Sequence, residues 1–189
     1  MRTEQQRPTQ GLRHSRVPMV REQIAALRQQ ASLRANGNQE IGRILSANMA
    51  AAFALELGLK VFYMTFEEEG PPRTHELKLL FLGLPAPIVV DITCGYAAVV
   101  PRLQSAKVLA LTVSPEMPSL PNGACGGGWG AAPDFFETAS RAFVEARYFY
   151  EKVTDAGWAT VTDLSPVMVE MSQVLDRVYD GYLSKGGWA

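Results

Sequence analysis

Histidine and cysteine are scarce in this chain, which has two of each among its 189 residues. Cys94 and Cys125 form neither a metal-ligand spacing nor a CxxC redox motif, and His14 and His75 belong to no HExxH or HxxxH motif. The serines lack the Gly-x-Ser-x-Gly elbow of hydrolases. We therefore expect no metal and no cofactor. The cysteines are either isolated thiols in a reducing compartment or a pair.

Neither sign of charge is in clear excess, because 18 basic and 19 acidic residues give a net charge of −1. This balance excludes a globally basic nucleic-acid binder but leaves room for a local basic surface. The N-terminus has no apolar segment of the kind found in secretory signals. The apolar run 47–66 approaches the length of a membrane span, but Glu56 and Lys60 near its middle would each cost about 2.5–3.5 kcal/mol there. We expect a cytoplasmic protein that does not enter a membrane.

The chain is predicted to contain a flexible basic arm, residues 1–16, and a single domain, residues 17–189. Up to residue 34 there are seven arginines and two glutamates. This excess either contacts nucleic acid or forms a solvated face, and the lack of interleaved aromatic residues favours the solvated face. Residues 114–132 are rich in Gly and Pro and predict a long loop, which is either a tether or a partner-binding loop anchored by Trp129.

Apolar residues at helical spacing predict helices in the first half of the chain, at 18–34 and at 39–66. The Gly-Pro-Pro sequence at 70–72 stops the second of these. A short helix then runs from Thr74, its expected cap, to about Phe81.

The second half contains two further predicted helices. Asp134 is the expected N-cap of the first, with Glu137 completing a capping box, and that helix reaches about Ala156. Ser165 and Pro166 open the last helix, since proline is favoured at a first helical position. Apolar residues at helical spacing predict the buried face of this helix: Val167, Met168, Met171, Val174, Leu175, Val178, Tyr179 and Tyr182.

The segment between these halves gives conflicting signals. Residues 88–94 and 107–113 are rich in β-branched side chains, which favour strands, and Pro101 between them disfavours a helix interior. From the pattern alone, helix and strand both remain open for 88–113.

The most apolar stretch, Ser46 to Phe66, is apolar on every face, which is typical of a helix that is buried on several sides. We predict that it lies at the centre of the fold. Glu56 and Lys60 lie one helical turn apart within it, in the order that favours a side-chain pair. Because buried charges are costly unless they are paired, these two residues either pair with each other and with neighbours or face a polar cleft.

Four polar residues on another predicted helix are candidates to supply those neighbours: Arg147, Tyr148, Tyr150 and Glu151. Arg147 and Tyr148 lie four and three residues before Glu151, so each shares a helix face with it. A role in holding the helices together is favoured over a ligand site.

His75 is the other candidate functional residue. With Arg73 two residues before it, His75 has the chemistry to act as an acid or a base, or to hold a phosphate. A histidine at a helix start is more often a surface or capping residue, and this second interpretation is favoured.

Three stretches taken together resemble one known family: Ala-Phe-Ala-Leu-Glu-Leu-Gly-Leu-Lys at 52–60, Pro-Pro-Arg-Thr-His-Glu-Leu at 71–77, and Ala-Phe-Val-Glu-Ala-Arg-Tyr-Phe-Tyr-Glu at 142–151. Their order and spacing resemble HEPN domains, the higher eukaryotes and prokaryotes nucleotide-binding family, over residues 40–183. The resemblance implies an all-α, up-and-down bundle of four or five main helices, often a homodimer. It also implies a helix at 88–102, and polar positions inside the bundle for Glu56 and Lys60.

Many HEPN proteins are metal-independent ribonucleases of toxin–antitoxin or phage-defence systems, in which four to six residues separate an Arg from a following His. Here Arg73 and His75 are too close, and the Arg7–His14 spacing fits but falls in the arm. We therefore predict no catalytic residue and a non-catalytic module. It would bind a partner protein, such as an antitoxin or nucleotidyltransferase, or a nucleotide or RNA. The alternatives are an atypical endoribonuclease that uses Arg73 and His75, and a purely structural interaction bundle.

Overall fold

Helices dominate the part of the chain that the structure describes. A computed structural model describes residues 16–32, 40–67, 70–103, 108–112, 131–156 and 158–185. In chain order the elements are α1 (Val17–Ser32), α2 (Glu40–Phe66), α3 (Leu77–Leu82), α4 (Ala86–Leu103), β1 (Val108–Thr112), α5 (Ala132–Ala156), β2 (Trp158–Thr162) and α6 (Ser165–Ser184). The prediction of a mainly α-helical fold is confirmed. Most of the predicted arm and of the 114–132 loop, with Cys125 and Trp129, lies outside the described residues.

Helix α2 lies at the centre of the fold, as its apolar composition predicts. It packs against α1, α3, α5, α6 and β2. Leu55, Leu59 and Phe62 along its length are almost completely buried. By length and composition alone, 41–66 passes the test for a membrane-spanning helix, but 72% of its apolar window is buried inside the protein. A central core helix passes the same test, and the packing accounts for the apolar run.

Two glycines allow α6 to pack closely against its neighbours. A Cβ atom on Gly58 of α2 would lie 2.9 Å from Cδ1 of Leu175, and one on Gly95 of α4 would lie 2.3 Å from Cγ1 of Val174. Real side-chain contacts are longer than this, so a larger residue at either position requires the facing side chain or the helix itself to shift. Buried residues at a helical spacing on α6 fill the interface, as the sequence predicts: Val167, Met168, Met171, Val174, Leu175 and Tyr179.

The ambiguous segment contains both a helix and a strand. Residues 86–103 form α4, so the strand interpretation of 88–94 is wrong. Ile88, Ile92, Tyr96 and Val99 are buried at spacings of four, four and three residues, and this amphipathic pattern outweighs the strand preference of β-branched residues. The strand preference of 107–113 is confirmed, because β1 pairs with β2 in an antiparallel two-stranded ribbon.

Two predicted helix starts are wrong. Helix α3 begins at Leu77 rather than Thr74, and the Thr74 hydroxyl accepts a hydrogen bond from the Glu76 amide instead. Helix α5 begins at Ala132, two residues before the predicted cap. The Asp134 carboxylate accepts a hydrogen bond from the Ala131 amide, so it takes the reach-back role in the first turn rather than the N-cap role.

A small second core sets the direction of α5. Phe149 of α5 and Val161 of β2 pack with Ile44 and Leu45, near the start of α2. The other end of α5 packs near the end of α2, since Phe136 stacks on Phe81 of α3. Helix α5 therefore runs antiparallel to α2.

Candidate functional site

A buried carboxylate lies in the middle of the central helix. Glu56 on α2 is 2% exposed. Removing a charged carboxylate from water costs several kcal/mol unless it is paired and hydrogen-bonded. Its partners therefore decide what this position does.

Two nitrogen atoms contact the Glu56 carboxylate. Lys60 Nζ donates to Oε1 at 2.7 Å from one turn further along α2, so the ion pair that the sequence suggests does form. The second partner, His75, lies 19 residues away in the sequence, and its Nδ1 is 3.0 Å from Oε1 and 3.1 Å from Oε2. The sequence identified both residues as candidates but did not connect them.

The imidazole of His75 has one nitrogen at the carboxylate and the rest of its ring in solvent. Its side chain is 82% exposed, whereas Glu56 beneath it is 2% exposed. Because an ionised carboxylate only accepts hydrogen bonds, Nδ1 must carry the proton of this contact. Nε2 is then an acceptor in the neutral ring and a donor in the protonated ring. The geometry suits proton exchange with solvent or a hydrogen bond to an anionic ligand.

The segment that carries His75 is fixed by a turn at one end. After α2 ends at Phe66, Gly70 adopts φ of 76°, in the left-handed region that favours glycine. The predicted stop at 70–72 is therefore present. Arg73, two residues before His75, is exposed on the same segment.

At its other end the segment is fixed by α5. The Leu77 amide, at the first position of α3, donates to Ser140 Oγ at 2.8 Å, and this hydroxyl donates to the Phe136 carbonyl at 2.9 Å. Ser140 thereby satisfies a helix-start amide that has no partner within its own helix. No sequence pattern indicated Ser140, because its role depends on Leu77, a residue 63 positions away.

A surface ion pair joins α3 to α5 beside this contact. Lys78 Nζ donates to Glu137 Oε2 at 2.7 Å, and Arg141 donates to Oε1 at 3.0 Å. The hydrogen bond with Lys78 lowers the pKa of Glu137, and the same bond raises the pKa of Lys78. These charged groups hold the end of the His75 segment from the solvent side.

The predicted polar group on α5 lies at a different level of the fold. Phe149, which lies between Tyr148 and Tyr150 in the chain, packs against Ile44. Ile44 is twelve residues before Glu56, about 18 Å along the helix. Tyr148 and Glu151 are exposed, whereas the side chains of Arg147 and Tyr150 lie outside the described residues. The structure thus joins Glu56, Lys60 and His75, and the described residues of this part of α5 lie elsewhere.

No group of three or more metal-ligating side chains occurs among the described residues. Cys94 is a free, exposed thiol on α4. Comparisons with protein-family models, with curated proteins and with solved structures give no match for this chain. The resemblance to HEPN domains remains a prediction.

Proposed function

We propose that this protein is a non-catalytic, HEPN-like helical module that binds a phosphate-bearing ligand, RNA or a nucleotide, at the surface around His75. The observation that carries the proposal is the contrast between an enclosed carboxylate and the exposed imidazole that it holds. A protonated His75 offers Nε2–H to a phosphate oxygen, and Arg73 adds a guanidinium on the same segment. Charge-assisted hydrogen bonds of this kind are the strong contacts of phosphate recognition.

A purely structural role explains this arrangement less well. Lys60 already neutralises Glu56, and its side chain is only 17% exposed. A second cation adds little to a charge that is already paired, and an imidazole that is 82% exposed contributes little packing. The feature that His75 adds is a fixed, solvent-facing nitrogen.

The resemblance to HEPN domains supports the same ligand class and supplies a setting. In that setting the protein is a cytoplasmic homodimer of a toxin–antitoxin or phage-defence system, with an antitoxin or a nucleotidyltransferase as its protein partner. The resembling stretch 71–77 contains both Arg73 and His75, so the proposed ligand surface lies within it.

Binding of a labelled 12-nucleotide RNA and of ATP, measured by fluorescence anisotropy and calorimetry in EDTA, tests the proposal. His75→Ala and Arg73→Ala should each weaken binding about 10-fold, the effect of one charge-assisted hydrogen bond. Each should also flatten the dependence of affinity on salt. Arg177→Ala is the matched control, because it removes an exposed cation from α6 and should leave binding unchanged.

The same geometry favours one alternative, a metal-independent endoribonuclease. A carboxylate that holds Nδ1–H leaves Nε2 to accept and return a proton, the division of labour seen in carboxylate–histidine pairs of enzymes. Cleavage of the RNA in EDTA that is lost in His75→Ala would establish this alternative. Binding without cleavage establishes the non-catalytic module. If neither RNA nor nucleotide binds, both are wrong and a structural interaction bundle remains.

A further inference from the structure

A second candidate site lies between α1 and α6, away from His75. A cleft of about 630 Å³ runs along the two helices, within the size range of small-molecule sites. Its walls are largely apolar and include Val17, Pro18, Ala25 and Leu183. Thr65 of α2, which also lines it, lies nine residues beyond Glu56, about 13 Å along the helix. This cleft is therefore independent of the function proposed above.

Two hydroxyl groups in the lining of this cleft share a single hydrogen bond. Thr65 Oγ1 and Tyr179 Oη are 3.0 Å apart, and the two residues are only 9% and 4% exposed. Each hydroxyl carries one proton, and the bond between them uses only one of the two. Within the described residues neither oxygen has another hydrogen-bond partner. Because buried donors are almost always paired, the second proton is available to an acceptor in the cleft, either water or an oxygen atom of a ligand.

The two arginines at the rim of the cleft are paired with carboxylates across it. Arg21 of α1 contacts Asp180 of α6 at 2.8 Å and lies over the Tyr179 ring, 5.3 Å from its centroid. Arg28 of α1 forms an ion pair with Asp176 of α6. Since these arginines have carboxylate partners, the rim offers no surplus positive charge to a ligand. Glu22, which also lines the cleft, adds a negative charge that disfavours an anion.

From these observations we infer that the α1–α6 cleft binds a neutral, largely apolar small molecule with one carbonyl oxygen. This oxygen accepts the spare proton of the Thr65–Tyr179 hydroxyl pair, and the apolar body contacts Val17, Pro18, Ala25 and Leu183. The cleft volume suits a small molecule, the apolar walls suit its apolar body, and the unused hydroxyl proton suits its carbonyl oxygen.

Acetophenone and ethylbenzene test this inference, because they have similar shapes and only the ketone has an acceptor. Ligand-observed NMR on the full-length protein gives the affinity of each. Ala25→Trp fills the cleft and should abolish binding of both probes. Ala26→Trp adds the same ring to a neighbouring exposed position of α1 that does not line the cleft, and it should leave binding intact.

The double variant Thr65→Val/Tyr179→Phe removes both hydroxyls and tests the carbonyl contact. The affinity of the ketone relative to the hydrocarbon should fall about 5-fold, the effect of one neutral hydrogen bond. This ratio is measured within one folded variant, with circular dichroism as the check on folding, so a loss of stability does not imitate it. An unchanged ratio, equal binding by the two tryptophan variants, or no binding of either probe at millimolar concentration overturns the inference.

Discussion

Two buried polar residues on the same central helix have opposite surroundings. Asn48 and Glu56 are both on α2, eight residues apart, and are 4% and 2% exposed. Both occur in a run that is mostly apolar. Asn48 is hydrogen-bonded to backbone groups, whereas Glu56 is hydrogen-bonded to the side chains of Lys60 and His75.

The two hydrogen bonds of the Asn48 side chain both go to the backbone of the corner between β2 and α6. Its Nδ2 donates to the Thr162 carbonyl at 2.8 Å, and its Oδ1 accepts from the Leu164 amide at 3.0 Å. Asp163, between them, accepts a 2.6 Å hydrogen bond from Ser165 Oγ. None of these contacts ends at an exposed side chain, so the Asn48 group serves to hold the corner in place.

Glu56 is connected to solvent through His75, a residue that packing does not require. The comparison suggests a general criterion for this fold. A buried polar group whose partners are all enclosed holds the structure together. A buried polar group that orients an exposed side chain offers that side chain to a ligand or a reaction. The criterion predicts that mutation of Asn48 affects stability and that mutation of His75 affects binding.

The largest expected effect is that of Asn48→Ala. It removes both hydrogen bonds of a buried side chain and leaves a cavity, while the Leu164 amide keeps only its 3.1 Å bond to the Thr162 carbonyl. We therefore expect a loss of about 3 kcal/mol in the free energy of unfolding. Urea denaturation followed by circular dichroism measures it. Ser46→Ala, at an exposed position two residues earlier on α2, should change this energy by less than about 0.5 kcal/mol. Equal effects of the two substitutions would contradict the role given to Asn48.

Glu56→Gln should come next, with a loss of about 2 kcal/mol, because it leaves the Lys60 cation largely buried without its counter-charge. The double variant Glu56→Met/Lys60→Met replaces the pair by side chains of similar length and should recover most of that loss. Binding of RNA or nucleotide should not recover, since His75 has lost the carboxylate that orients it. Recovery of both properties would show that the Glu56–His75 contact has no role in binding.

Ser140→Ala should have a smaller and more local effect. It removes the acceptor of the Leu77 amide, so we expect a loss of about 1 kcal/mol and faster hydrogen exchange at that amide. Ligand affinity should fall as well, because the segment that carries His75 loses its attachment to α5. The Leu80 amide, which donates to the Glu76 carbonyl further along α3, is the internal reference. Unchanged exchange at Leu77 would show that Ser140 does not fix this segment.

The parts of the fold that depend on local pattern are the parts that the sequence could predict. The central helix, its stop before residue 70 and the buried stripe of α6 follow from apolar periodicity and from glycine and proline. Helix α4 was ambiguous because β-branched propensity and amphipathic spacing disagree there, and packing against α6 favours the spacing. The start of α3 could not be placed, since its first amide bonds a serine on a distant helix.

The candidate site could be predicted only in part, for the same reason. Glu56 and Lys60 are four residues apart, so helix geometry alone brings them together. No spacing rule connects Glu56 to His75, because the connection depends on how the turn at Gly70 returns the chain to α2. The Thr65–Tyr179 hydroxyl pair joins residues 114 positions apart and had no signal in the sequence.

The smallest expected effect is the pH dependence of the Lys78–Glu137 pair, which holds the His75 segment only from the solvent side. Its hydrogen bond lowers the pKa of Glu137, so the folded protein releases this proton more readily than the unfolded chain. The stabilisation is therefore complete above the ordinary glutamate pKa and is lost as the pH falls through the lower, folded value. Carboxyl-carbon NMR of Glu137 should show a depressed titration midpoint that returns towards the ordinary value in Lys78→Met. Because both side chains are solvent-exposed, 1 M salt should also reduce the depression. A midpoint that neither Lys78→Met nor salt moves would mean that the pair does not hold α3 against α5, which would leave Ser140 as the main attachment.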